Sequence, residues 1–310
     1  MNIIEITPKL FLIPLDQELP GFTSFIGAWL YKGEKNILVD VGPGSTAPDL
    51  LRALDILDVP QPDAILLTHI HIDHAGGAGH IAQHFPNTPV VCHESGIPHL
   101  ADPSRLWEGS LKTLGQTARA YGPFQPVPSD QLYNAAEFRE YNIEPFLTPG
   151  HAPHHISYLV DSCLFAGEAG GVFLEPDPKS ETRNEWYLRP ATPPRFFLEM
   201  SIQSIDILTG VPHDILCYGH FGVTKNTPGI LETHKQQILN WADIIREQMK
   251  AGHGTDLIDL CTEALLKKDP LLACWNLLEP AVRERERGFM HNSIRGFTGY
   301  LESGIEKSDE

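Results

Sequence analysis

The chain has 310 residues, an apolar share of 42% and a formal charge of −17 from 40 acidic and 23 basic side chains. That length buries a large core, as one big domain or a domain with an appendage, while so acidic a surface repels phosphate backbones and excludes nucleic acid as an expected partner. No run approaches the roughly 18 apolar residues of a membrane helix, and the five scattered cysteines (Cys92, Cys163, Cys217, Cys261, Cys274) form no C-x-x-C, which points to a reducing, cytoplasmic compartment without a disulfide framework.

The opening "MNIIEITPKLFLIPL" carries an early acid, a short apolar run and no small-residue cleavage site, so it does not read as a signal peptide. With "SFIGAWLYKG" and "NILVDVGPG" it predicts a β-meander that closes in a Gly/Pro turn after Asp40. A helix at "APDLLRALDIL" leads to a buried strand at "PDAILL", and "THIHIDHAGG" (Thr68–Gly77) follows at once. Then come a strand at "PVVCHES", a helical stretch around "SRLWEGSLKTLGQTARAYG" and a proline-broken loop. Further strands are expected at "NIEPFLT", "HISYLVD" and "CLFAG". A polar, irregular segment runs from Glu175 to Pro194, before a helix at "RFFLEMSIQSIDILTG" and a last strand at "DILCYG". From Pro228 onward the pattern is helical. Two strand sets with helices between and around them imply an α/β layered sandwich with a helical C-terminal extension.

Three histidines and an aspartate fall within six positions, spaced H-x-H-x-D-H. Imidazole and carboxylate are poor fillers of an apolar interior but good ligands for zinc, iron or manganese. His69 and His71, two apart in an extended segment, point the same way. Asp73 and His74 follow in the turn and face a second position. Three more ligand-type residues recur in one context, an apolar strand, a glycine, then the ligand: His151 in "TPGHAPHH", Glu168 in "LFAGEAGG" and His220 in "CYGHFG". No G-x-S-x-G elbow, no cysteine in a motif with a base and no phosphate-cradling loop competes, since "GPGSTA" lacks the P-loop lysine.

These motifs, in this order over residues 1–225, resemble the metallo-β-lactamase superfamily. The resemblance implies a four-layer αββα sandwich over 1–225 with residues 226–310 as a helical extension packed on it. It implies two divalent metal ions, zinc first and iron or manganese as alternatives. His69, His71 and His151 would hold one, Asp73, His74 and His220 the other, with Glu168 bridging. Asp40 matches the aspartate the family carries on the preceding strand. One departure stands out: the family has aspartate at the bridge, and Glu168 is one methylene longer, so it bridges after a backbone adjustment or binds one ion only. Two ions sharing a water would lower its pKa towards neutrality and make a hydroxide nucleophile, with Asp73 orienting it and carrying its proton.

Among the reactions of that family, hydrolysis of a small ester, thioester or lactone leads. A phosphodiesterase lacks support in so acidic a chain, and a mononuclear-iron sulfur dioxygenase would not need both His74 and His220. A non-catalytic metal-binding sensor is the reading from another class. Trp186, Tyr187 and Arg189, in the 175–194 segment, are candidate substrate contacts, since aromatics pack an acyl group and arginine pairs a carboxylate. The C-terminal helices resemble in position the extension that glyoxalase II uses to hold its thiol ester. There, His291, Arg295 and Tyr300 either cap the pocket or pack against the sandwich or the second subunit of a homodimer. His80, His84, His93, His99, His154, His155 and His213 read as structural or surface residues.

Overall fold

The computed structural model describes residues 2–174, 186–225, 227–251 and 256–305. The meander forms β1–β4 (Ile4–Thr7, Leu10–Pro14, Gly27–Lys32, Asn36–Val39), all antiparallel. Three parallel strands, β5 (Ala64–Leu66), β6 (Val90–Cys92) and β7 (Leu132–Asn134), extend them into a seven-stranded sheet in chain order. The second sheet holds β8 (Ile143–Leu147), β9 (Ile156–Val160), β10 (Cys163–Gly167), β13 (Ile215–Tyr218) and β14 (Val223–Thr224). Its order is β14-β13-β10-β9-β8, with β10 and β13 parallel. A separate ribbon pairs β11 (Val172–Leu174) with β12 (Tyr187–Arg189).

Period-two alternation in the strands accounts for the layers. On β2, Leu10 and Leu12 face inward with Tyr158, Phe165 and Cys217 of the second sheet, making the apolar filling between the sheets. Phe11 and Ile13 face the other way, onto α1 (Ala47–Ile56) and α3 (Ala78–His84). On β10 the same switch sends Leu164 outward while Cys163 and Phe165 point inward. Leu164 joins the apolar cluster built by α7 (Leu198–Gly210), α8 (Thr227–Lys250), α9 (Leu257–Lys268) and α10 (Pro280–Ile305). Three apolar clusters separated by two sheets give a helix–sheet–sheet–helix sandwich, the αββα order expected. Residues beyond 226 share their core with the second sheet through Trp241, Leu265, Met290 and Phe297.

Two local expectations are refined. The helical stretch after residue 103 is broken into α5 (Ser104–Leu114) and α6 (Gln116–Tyr121) at Gly115, whose φ of +55° combined with ψ of −112° only glycine adopts without strain. The segment read as irregular contains β12. Its residues 175–185 lie outside the described residues.

Candidate metal centre

All the expected ligands stand at the same end of the sandwich, contributed by both sheets. After β5 the chain stays extended through His71 (φ −68°, ψ 155°) and then turns into the four-residue helix α2 (Ile72–Ala75). The extended part brings the His69 and His71 rings to 4.5 Å, and the turn carries Asp73 and His74 onward. The second sheet delivers His151 after β8, Glu168 after β10 and His220 after β13. One ligand atom from each of His69, His71, His151 and Glu168 lies within 4.8 Å of the others, and the same holds for Asp73, His74 and His220.

Glu168 sits between the groups. Its Oε2 is 2.7 Å from His151 Nε2 and 3.2 Å from His69 Nε2, while its Oε1 is 2.9 Å from His220 Nε2. Its backbone is fixed: Gly167 has φ +55°, and a Cβ there would fall 2.4 Å from His155 Nε2. That same nitrogen accepts the Glu168 backbone N–H at 3.1 Å. His155 is held in turn through Thr148, whose hydroxyl lies 2.9 Å from His155 Nδ1. His155, read from sequence as structural, therefore positions the carboxylate. Nothing in the sequence but its place beside "PGH" signals this.

The outer hydrogen bonds decide which nitrogen each histidine offers. Asp40, in a left-handed backbone conformation (φ +53°), accepts from the Thr68 backbone N–H at 2.8 Å, the Thr68 hydroxyl at 2.8 Å and His74 Nδ1–H at 2.8 Å. With its proton given to Asp40, the Thr68 oxygen accepts from His69 Nδ1–H at 3.0 Å. His151 Nδ1–H donates to the Ala191 carbonyl at 2.8 Å. Each of these bonds turns an Nε2 towards the centre, where a metal would take the place of any proton it carries. The Nε2 atoms of His69 and His74 are buried there without a hydrogen-bond partner. Orphaned imidazole nitrogens facing carboxylates are a cost in an empty pocket and are what a divalent cation needs, so these residues fit the metals the family binds.

The electrostatics agree. Burial and the neighbouring His151 push the His71 imidazole down to about 3, keeping it neutral. Burial works against charge on His74, yet Asp40 and Asp73 raise it to about 9. Burial alone would raise the Glu168 carboxyl, but His151 and His220 hold it well below the usual range. Three carboxylates (Asp40, Asp73, Glu168) thus favour positive charge at the centre.

A cavity of about 420 Å³ opens onto the ligands, walled by Ile70 and Ile72, by Leu106 and Leu114 of α5, and by Pro193 and Phe289. Arg105 is at its exposed rim. Of the expected substrate contacts, Arg189 lines the cavity, but its guanidinium is buried and paired with Glu286. Trp186 and Tyr187 do not line it, which corrects that expectation. Trp186, just before β12, stacks on Phe173 at 5.7 Å, and Tyr187, paired with Leu174 of β11, is wholly buried near Trp275, so both join the helical side of the core. From α10 the lining residues are Phe289, Asn292 and Ser293. Tyr300 instead donates to Glu199, Arg295 to Asn292, and His291 lies 3.9 Å from Asp259.

Comparisons with known proteins agree with this geometry. The model of the metallo-β-lactamase superfamily matches residues 19–220, a span holding all seven candidate ligands. The metallo-β-lactamase fold-containing protein ST1585 of Sulfurisphaera tokodaii is 27% identical over 72% of this chain and 82% of its own. The solved structure of ST1585, from Sulfolobus tokodaii, covers 94% of this chain and 99% of its own, with a TM-score of 0.66 at 21% identity. A hydroxyacylglutathione hydrolase of Salmonella arizonae is 32% identical, with the match spanning 45% of either chain. On fold, motif order and family match, the chain is an enzyme of the metallo-hydrolase kind and belongs to the metallo-β-lactamase superfamily.

Proposed function

We propose that the chain hydrolyses a small carboxylic ester, thioester or lactone with an apolar acyl part, using two metal ions, with zinc favoured over iron or manganese. The observation that carries this reading is the convergence of seven ligand-type side chains at the mouth of a largely apolar cavity. The likeness to hydroxyacylglutathione hydrolases over 45% of the chain supports a thioester within that class. The five scattered cysteines, none in a C-x-x-C, support action in a reducing compartment such as the cytoplasm.

His69, His71 and His151 would hold one ion and Asp73, His74 and His220 the other, with one Glu168 oxygen towards each group. Ions held there would lower the pKa of a water towards neutrality and polarise the substrate carbonyl oxygen. The chain does the rest. Ile70, Leu106 and Phe289 seat the acyl group and exclude bulk water. Asp73, partly exposed to the cavity, takes the proton of the attacking water and passes it to the departing alcohol or thiol. The acyl carbon gains one hydroxyl, and its bond to the leaving oxygen or sulfur breaks.

Elemental analysis of the purified chain, with turnover measured on a panel of acyl thioesters, lactones and phosphodiesters, tests this. We expect close to two ions per chain and fastest turnover of apolar acyl substrates. Preference for phosphodiesters, or no metal, would sink the proposal.

A further inference from the structure

His69, His74 and His151 each have Nδ1 held by a hydrogen bond, whereas His220 Nδ1 is buried with no partner. Its ring orientation must come from another source. Phe25, fully buried, lies parallel to the His220 ring with centroids 4.4 Å apart and 14° between planes. The guanidinium of Arg285, on α10, covers the Phe25 ring at 3.7 Å. Since the imidazole fills one face of the ring, the cation takes the other. We propose that Phe25 and Arg285 are positioning residues that hold His220 in its ligating orientation, so that the C-terminal helix sets the metal affinity of the Asp73–His74–His220 half of the site. This inference rests on the metal-centre reading above.

The stack is anchored at its far end. Arg285 donates to the Gly21 carbonyl and, through Nε at 3.0 Å and Nη2 at 2.9 Å, to Glu286 Oε1. Glu286 is wholly buried and gives its other oxygen to Arg189. One carboxylate therefore fixes both arginines. Phe289, one turn further along α10, packs on Phe25 at 5.5 Å and closes the side of the stack. A stacked guanidinium is polarisable and flat, so it presses the phenyl ring against the imidazole without competing for the imidazole nitrogens. His220 Nε2 stays free to face Glu168 and Asp73, at 2.9 and 3.8 Å. In the other half of the site, His69 and His151 have hydrogen-bonded supports instead of a stacked one, at Thr68 and at the Ala191 carbonyl.

The test uses the full chain and Co²⁺ as probe, titrated into metal-free protein against a chromophoric chelator, beside urea unfolding of the metal-free protein. Phe25→Leu keeps apolar volume and removes the flat face; Arg285→Lys keeps the charge and loses the fork. We expect Phe25→Leu to weaken one of the two Co²⁺ sites by about 10–100-fold, the usual effect of losing a supporting group behind a ligand, with the other site unchanged. Arg285→Lys should restore part of the loss seen in Arg285→Met. Two native-like affinities in Phe25→Leu overturn the inference while leaving the metal centre standing. So does equal weakening of both sites in step with a lower unfolding midpoint, which marks a merely structural role. An unaltered chain that takes up no Co²⁺ overturns the inference and the metal-centre reading together.

Discussion

Shortening the central carboxylate is the sharpest perturbation the site offers. Glu168→Asp withdraws the carboxyl by about 1.5 Å, one C–C bond. The backbone cannot follow, because the Glu168 N–H is bonded to His155 Nε2 and Gly167 packs directly on that ring. Separations of 2.7 Å to His151 and 2.9 Å to His220 would therefore open to roughly 4.2 and 4.4 Å. A carboxylate so placed no longer faces both groups. Loss of a supporting hydrogen bond already costs about 10–100-fold in metal affinity, so loss of the ligand should cost at least about 100-fold, or ~2.7 kcal/mol, for one ion. Zn²⁺ titration of metal-free native, Glu168→Asp and Glu168→Ala chains, with turnover of a thioester followed in parallel, reads this directly. We expect one tight ion and low activity in the aspartate variant, and a further loss in the alanine variant. Two ions at native affinity in Glu168→Asp would refute the pinned-backbone argument, and native behaviour in Glu168→Ala would show that Glu168 is no ligand.

His71→Ala should abolish hydrolysis and leave the circular dichroism spectrum and unfolding cooperativity unchanged, because the residue lies on a loop outside the apolar clusters; turnover at the native rate would contradict the mechanism. Asp73→Asn should lower kcat more than metal content, as comparison of single-turnover rates with elemental analysis would show. Glu286→Gln should destabilise the chain by about 3–5 kcal/mol at neutral pH by leaving two buried arginines uncompensated. Burial alone would raise the Glu286 carboxyl, but Arg189 and Arg285 hold it below the usual range. Its contribution is thus present above its unfolded pKa and lost as pH falls through the folded value. The gap between native and Gln variants should accordingly narrow below about pH 4.5; urea midpoints at pH 7 and 4 that differ by the same amount would count against it.

What could be read from the sequence was whatever repeats locally. Strand alternation such as Leu10-Phe11-Leu12-Ile13 announces a sheet with both faces covered, and the H-x-H-x-D-H run is dense enough to stand out. The strand Tyr187–Arg189 was not legible, because three residues paired with a single partner carry too short a period. On α10 the sequence left open which face looks into the cavity. Phe289, Asn292 and Ser293 are spaced i, i+3, i+4 and look into the cavity, while His291 and Arg295 lie on another face. Gly296 fixes which face is which, since a Cβ there would meet the Pro193 carbonyl at 2.2 Å. The support from His155, Phe25 and Arg285 is made by contacts across 13 to 264 residues of chain, which no local pattern encodes.

The candidate ligands come from loops of both sheets, His69 to His74 from one and His151, Glu168 and His220 from the other. A cation bound among them would act as a clasp between the two layers, added to the hydrogen bonds that cross there from the Ile156 N–H to the Thr68 carbonyl at 2.8 Å and from the Tyr158 hydroxyl to the Leu67 carbonyl at 3.0 Å. Such a clasp is absent from the unfolded chain, so by mass action it adds RT ln(1 + [metal]/Kd) to stability, about 4 kcal/mol at a free concentration a thousandfold above Kd. The melting temperature of this chain would then become a gauge of free metal, falling as that metal grows scarce.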